Sequence, residues 1–192
     1  MVDQPRVQRL VRELLEAIGE DPDREGLQET PRRVADMYVE LFEGIESDPG
    51  EHLRTTFEIG HDEMVMVRDI PFTSLCEHHL VPFVGFGHIA YLPSDGRIAG
   101  LSKLARVVEG FARRLQVQER MTTQIVESIE KELAPRGTIV VLEAEHFCMS
   151  MRGVKKEGMT TVTSAVRGVF KDDASYRAEA LQYIHQRRST WR

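Results

Sequence analysis

The stretch Phe83-Val84-Gly85-Phe86-Gly87-His88-Ile89-Ala90-Tyr91-Leu92, closed by Pro93-Ser94-Asp95-Gly96, decides the fold. Aromatic and β-branched residues run up to a cluster of turn formers, which is the pattern of a strand leaving into a tight connection. Met64 to Ile70 has the same strand-forming character, so the two stretches are expected to pair antiparallel. Downstream the apolar period lengthens. Leu104, Val107, Val108, Phe111 and Leu115 form one helical stripe behind Ser102, and Val117, Met121, Ile125, Ile129 and Leu133 form another that ends at Pro135-Arg136-Gly137. Thr138 to Glu145 and Met159 to Phe170 then return to strand composition. The order is ββααββ, an α+β arrangement. Two helices on one face of a four-stranded sheet leave its other face and its edges needing cover, and oligomerisation is the simplest solution.

Ahead of this unit the chain reads as helix. Val7, Leu10, Val11, Leu14, Leu15 and Ile18 recur at helical spacing, as do Val34, Met37, Tyr38, Leu41 and Phe42 after a Thr30-Pro31 start that suits the cap and first turn. Ile18 to Pro22 and Ser47-Asp48-Pro49-Gly50 read as loops, and the second marks a boundary. Residues 1–50 are therefore assigned to a helical segment and 51–192 to the sheet-and-helix domain.

Composition excludes several classes. With 192 residues, 41% of them hydrophobic, the chain can bury a sizeable core. No apolar run approaches the roughly 18 residues of a membrane helix, and Met1 to Leu15 is charged and amphipathic rather than a signal peptide, so the cytoplasm is the expected location. A net charge of −6 and the lack of a basic stripe argue against nucleic acid as a partner.

The two cysteines lie in Cys76-Glu77-His78-His79 and His146-Phe147-Cys148, each beside histidine. A reducing compartment disfavours a disulfide and favours metal binding or catalysis for such thiols. Cys76 and His79 are three apart and close into a chelating pair across one turn, which leaves His78 for chemistry. With Cys148 they make a Cys2His set, one that catalytic zinc uses while keeping a fourth position open. His146 and Cys148 are two apart, so on a strand they share a face that Ser150 and Arg152 continue if the strand persists. His52, His61, His88 and His185 read as ordinary histidines.

Five stretches carry a resemblance across nearly the whole chain. They are Asp23 to Ala35, Ser74-Leu75-Cys76-Glu77-His78-His79, Gly100-Leu101-Ser102-Lys103-Leu104-Ala105-Arg106, Gln116-Val117-Gln118-Glu119-Arg120, and His146-Phe147-Cys148 through Arg152-Gly153. In that order they resemble the GTP cyclohydrolase I family. The resemblance implies the tunnelling fold, in which ββααββ units join edge to edge into barrels, and a homodecamer of two stacked five-membered rings with active sites at subunit interfaces. It implies attack at C8 of GTP, release of formate and formation of 7,8-dihydroneopterin triphosphate, the entry to folates and pterins.

The same resemblance implies the residue roles. Cys76, His79 and Cys148 would hold Zn2+. His146 would protonate N7, and His78 would handle protons in the later sugar rearrangement, where Ser102 is also placed; support of the metal ligands is the alternative for His78. Glu119 would accept the adjacent N1 and 2-amino donors of guanine, with Gln118 reading neighbouring polar atoms through its amide or backbone. Lys103, Arg106 and Arg152 would hold the triphosphate, joined by Arg33 from the amino-terminal helix. A nucleobase deaminase would need a Cys-x-x-Cys pair that this chain lacks. A tunnelling-fold nitrile reductase would not need the complete Cys2His set, and a non-catalytic zinc protein would have no need of His146 beside Cys148.

Overall fold

The computed structural model describes residues 1–186. The chain forms two compact units, Met1–Ser47 and a second that begins at Asp48. The first holds α1 (Gln4–Ala17) and α2 (Thr30–Leu41), which pack on each other. Asp3 caps α1 by accepting from Arg6 N. Thr30 is the first residue of α2 rather than its cap: Glu29 occupies that position and makes no side-chain cap bond. Arg12 holds Asp23 in a two-pronged ion pair of 2.9 and 2.8 Å, which ties the loop after α1 back to that helix. Asp36 is taken by Arg32 and Gln4, and Arg33 lies on the same helix, α2.

The second unit opens with a 3-10 turn, Pro49–Arg54, and continues β1 (Thr56–Glu58), β2 (Val65–Cys76), β3 (Pro82–Leu92), β4 (Arg97–Ala99), α3 (Leu101–Ala112), β5 (Leu115–Gln116) and α4 (Gln118–Leu133). It ends β6 (Gly137–His146), α5 (Phe147–Ser150), β7 (Thr160–Gly168), α6 (Val169–Asp172) and α7 (Ala174–His185). The ββααββ core is present as an antiparallel β2-β3-β6-β7 sheet. A fifth strand joins it, because β5 adds two residues parallel to the end of β2, with Cys76 opposite Gln116; β1 and β4 form a separate ribbon.

One sheet face is filled by Phe72, Phe83, Ile89 and Tyr91 against Leu104, Val108, Met121, Ile125 and Ile129 of α3 and α4. The other face is not left wholly bare, as the strand count alone implied. Ala90, Leu92, Ile139 and Val141 are covered by Phe170 of α6 and by Tyr176, Ala180, Leu181 and Ile184 of α7. The run Met159 to Phe170 accordingly divides: Gly168, at φ 54°, turns the chain out of β7 and into α6. Leu115, expected on a helical stripe, lies on β5.

β2 carries a bulge between Val67 and Ile70, where Asp69 sits at φ 58°. The amide freed there is used. Asp69 N donates to Nδ1 of buried His88 at 3.1 Å, so that nitrogen carries no hydrogen.

Candidate active site at the ends of β2 and β6

β2 ends at Cys76, and the chain reverses through Glu77, His78 and His79 into β3. The turn is closed by Leu80 N to Cys76 O (2.9 Å) and Cys76 N to Val81 O (2.9 Å). Leu80 is held at φ 55°, a left-handed conformation that costs a branched residue about 1–2 kcal/mol and persists because the flanking bonds determine it. Glu77 N donates to Gln116 O at 3.0 Å and the Glu77 carboxylate pairs with Arg120. These bonds lay the start of α4, which carries Gln118 and Glu119, beside the turn.

The second motif comes from the far strand pair. His146 is the last residue of β6, and its register partner on β3 is Phe83, at the beginning of that strand. Pairing with β7 has already stopped at Glu145 and Thr160. With no neighbour left to bond, the backbone after His146 folds into the single turn α5 instead of continuing extended, and Met151 N bonds Phe147 O at 3.1 Å. The expectation that Ser150 and Arg152 extend a strand face with Cys148 is therefore corrected. Cys148 reaches the site from a helical turn, while Ser150 is buried with its hydroxyl turned back to His146 O at 3.4 Å.

The result is a compact cluster. Donor atoms of Cys76, His79 and Cys148 lie within 4.8 Å of one another, with Cys76 buried, Cys148 half-buried and His79 exposed. Tetrahedral zinc with sulfur ligands at about 2.3 Å sets its ligand atoms roughly 3.5–3.8 Å apart, so the set fits that ion after a small contraction. The electrostatics agree. Burial, with the adjacent Cys76 thiol adding to it, pushes the Cys148 thiol up, a penalty that a cation between the sulfurs would reverse.

His78 lies exposed with Nδ1 3.8 Å from Cys76 Sγ, and Arg152 approaches Nε2 of His79 at 3.4 Å. His146 is more confined. Its ring stacks on Phe83, and its Nε2 lies 2.7 Å from Oε1 of Gln118. Burial draws its pKa below the ordinary histidine value, and the nearby Glu119 charge opposes that shift. Glu119 itself is exposed in the first turn of α4.

Of the two routes expected for Gln118, the amide is not open to a ligand: the residue is 1% exposed and its amide is committed to Leu142 O, Thr161 O, Thr163 Oγ1 and His146, which leaves the backbone as its direct route. Phe83, which the sequence marks only as the start of a strand, joins the site through the β3–β6 register.

Ser102, Lys103 and Arg106 are not part of this cluster within one chain. Ser74 Oγ donates to Ala112 O at 2.7 Å, which puts the C-terminal end of α3 near the end of β2. Ala99 N donates to the hydroxyl of Tyr91, which puts the start of α3 near the other end of β3. From Ser102 to Ala112 the helix rises roughly 15 Å, and none of the three shares a hydrogen bond or ion pair with the cluster among the described residues.

A sequence profile described as GTP cyclohydrolase I matches residues 7–185. Proteins named GTP cyclohydrolase 1 match nearly end to end. That of Carboxydothermus hydrogenoformans is 60% identical over 187 residues, covering 97% of each chain. That of Bacillus subtilis is 60% identical over 183 residues, covering 95% of this chain and 96% of its own. That of Clostridioides difficile is 60% identical over 184 residues, covering 95% and 97%. On a match of this extent, the chain belongs to the GTP cyclohydrolase I family of enzymes.

Proposed function

We propose that the chain hydrolyses GTP at C8 of the guanine, releases that carbon as formate and rearranges the remainder to 7,8-dihydroneopterin triphosphate, feeding folate or pterin synthesis. The observation that carries this reading is an open Cys2His donor set with a confined, hydrogen-bonded histidine two residues from one of its thiols. Zn2+ held by Cys76, His79 and Cys148 would supply Lewis acidity and a bound water acidic enough to ionise near neutral pH.

The side chains do the rest. When water adds to C8, the C8=N7 π pair moves to N7, which must take a proton. His146 delivers it as general acid, with its ring plane set by Phe83. The Glu119 carboxylate accepts from guanine N1–H and the 2-amino group, a donor pair that adenine does not present. His78, exposed beside Cys76, moves protons in the later ribose steps, where Ser102 also acts. Lys103, Arg106 and Arg152 hold the triphosphate, arginine's fork matching phosphate oxygens.

The separation of Ser102, Lys103 and Arg106 from the cluster in one chain supports a site completed by a neighbouring subunit. Edge-to-edge joining into the tunnelling-fold barrels of a homodecamer is supported by β7 at the sheet edge and by exposed Phe86 and Val162. A reducing cytoplasm suits the paired thiols. No helix among the described residues is long and apolar enough to cross a membrane. GTP labelled at C8 tests the reaction: the label is expected in formate, and label retained in a purine product rejects it.

A further inference from the structure

We infer that Gln118 is a positioning residue that holds neutral His146 as the Nε2–H tautomer, leaving Nδ1 as the ring nitrogen free to exchange a proton with a ligand. The neighbours of the Gln118 carboxamide fix which end is oxygen and which is nitrogen. One end of the Gln118 amide lies 3.0 Å from Leu142 O and 3.0 Å from Thr161 O. Main-chain carbonyls only accept, so that end is the NH2 group, and its two hydrogens are consumed there.

The hydroxyls agree. Thr122 Oγ1 donates to Gln118 O at 2.7 Å, so in its 2.7 Å contact with Thr163 Oγ1 the hydrogen belongs to Thr163. Thr163 then has a lone pair, not a hydrogen, toward the Gln118 amide 3.2 Å away. The opposite end of the amide is therefore Oε1, an acceptor, 2.7 Å from His146 Nε2. A flipped amide would set its oxygen against two carbonyl oxygens in a site that is 1% exposed. His146 Nε2 must donate.

The stack on Phe83, at 4.7 Å and 3°, keeps the ring in the plane this bond requires. Nε2 keeps its hydrogen whether or not the ring is charged, so proton traffic is confined to Nδ1. The consequence for catalysis rests on the role of His146 in the proposed reaction. The tautomer does not.

The test uses the zinc-loaded protein with 15N-labelled histidine and two-bond 1H–15N correlation at a pH where the ring is neutral, His146 being assigned by its loss in His146→Gln. The expected pattern is a protonated Nε2 and a bare Nδ1; a protonated Nδ1 overturns the inference, whatever any variant does. Gln118→Leu is expected to give a mixed tautomer pattern, unchanged zinc content, and kcat down by on the order of 10- to 100-fold with KM for GTP little altered. The wild-type tautomer retained in Gln118→Leu, with kcat unchanged, also overturns it. Should the wild-type chain not act on GTP, the proposed reaction fails while the spectrum still decides the tautomer.

Discussion

Phe83 and His146 are register partners on β3 and β6, and their rings lie parallel with centroids 4.7 Å apart. The imidazole proposed as the general acid is thus aimed by the sheet itself: the strand ladder sets the distance, the stack sets the plane and Gln118 sets the hydrogen. Phe83 is fully buried, so it serves core and site together.

Replacing Phe83 with leucine keeps most of the buried volume and is expected to cost no more than about 1.5 kcal/mol of stability. Turnover should fall about tenfold or more, with zinc retained, because the ring loses its plane. Metal analysis beside steady-state kinetics checks this, and near-normal kcat in a folded, zinc-loaded Phe83→Leu would remove the stack from the mechanism.

In the proposed reaction, Glu119→Gln would set one acceptor and one donor, in place of two acceptors, against guanine's two donors. A lost hydrogen bond to a charged group is worth about 1.5–3 kcal/mol, so kcat/KM for GTP should drop roughly 10- to 150-fold while bound zinc stays constant. Unchanged GTP kinetics would exclude Glu119 from guanine recognition.

His88 predicts a pH dependence of stability. Burial holds its pKa below the ordinary 6.5, and its Nδ1 accepts from Asp69 N. Below pH 6.5 the unfolded chain takes up a proton that the native chain resists, so stability falls as pH drops from 6.5 toward the folded pKa, by at most about 1.4 kcal/mol per pH unit for one proton. His88→Gln can still accept from Asp69 and should show a shallower decline in urea midpoint between pH 8 and 5.5. Because the candidate metal-binding residues are common to both proteins, equal slopes would mean that His88 does not carry the effect.

Gly85 lies opposite Ala144, and a Cβ there would meet Glu143 O at 1.8 Å and Ala144 Cα at 2.7 Å. Those are backbone atoms that cannot swing aside. Gly85→Ala should cost at least the roughly 1–3 kcal/mol typical of overpacking and lower the activity by parting β3 from β6 just beyond the Phe83–His146 stack. Thermal unfolding of the variant checks it.

Much of this architecture is legible in residue pattern because its signals are periodic. Leu104, Val107, Val108 and Phe111 do line one buried face of α3, and within the stretch Met64 to Ile70 the residues from Val65 on do pair antiparallel with the strand that holds Phe83 to Leu92. The Cys76, His79 and Cys148 donor cluster is legible because thiol and imidazole have few other uses at that spacing. What escaped depends on long-range geometry. β5 is two residues long and exists only because Gln116 meets Cys76, so it carries no local pattern. The turn at Phe147–Ser150 forms because the ladder runs out of partners at His146, an event set by where β3 begins, 64 positions earlier in the chain at Pro82. Gln118 looks like a solvated helix start beside Glu119, yet α4 docks on β6 and β7 and buries it.

The most direct test of the proposed activity is to incubate the purified, metal-analysed protein with GTP and follow formate together with the fluorescence of the oxidised pterin. Equal amounts of both, abolished by chelation and restored in proportion to added zinc, are expected of wild type, while Cys148→Ser should bind no stoichiometric zinc and form neither. Turnover undiminished by complete metal removal, or zinc-loaded protein that yields neither formate nor pterin, would contradict it.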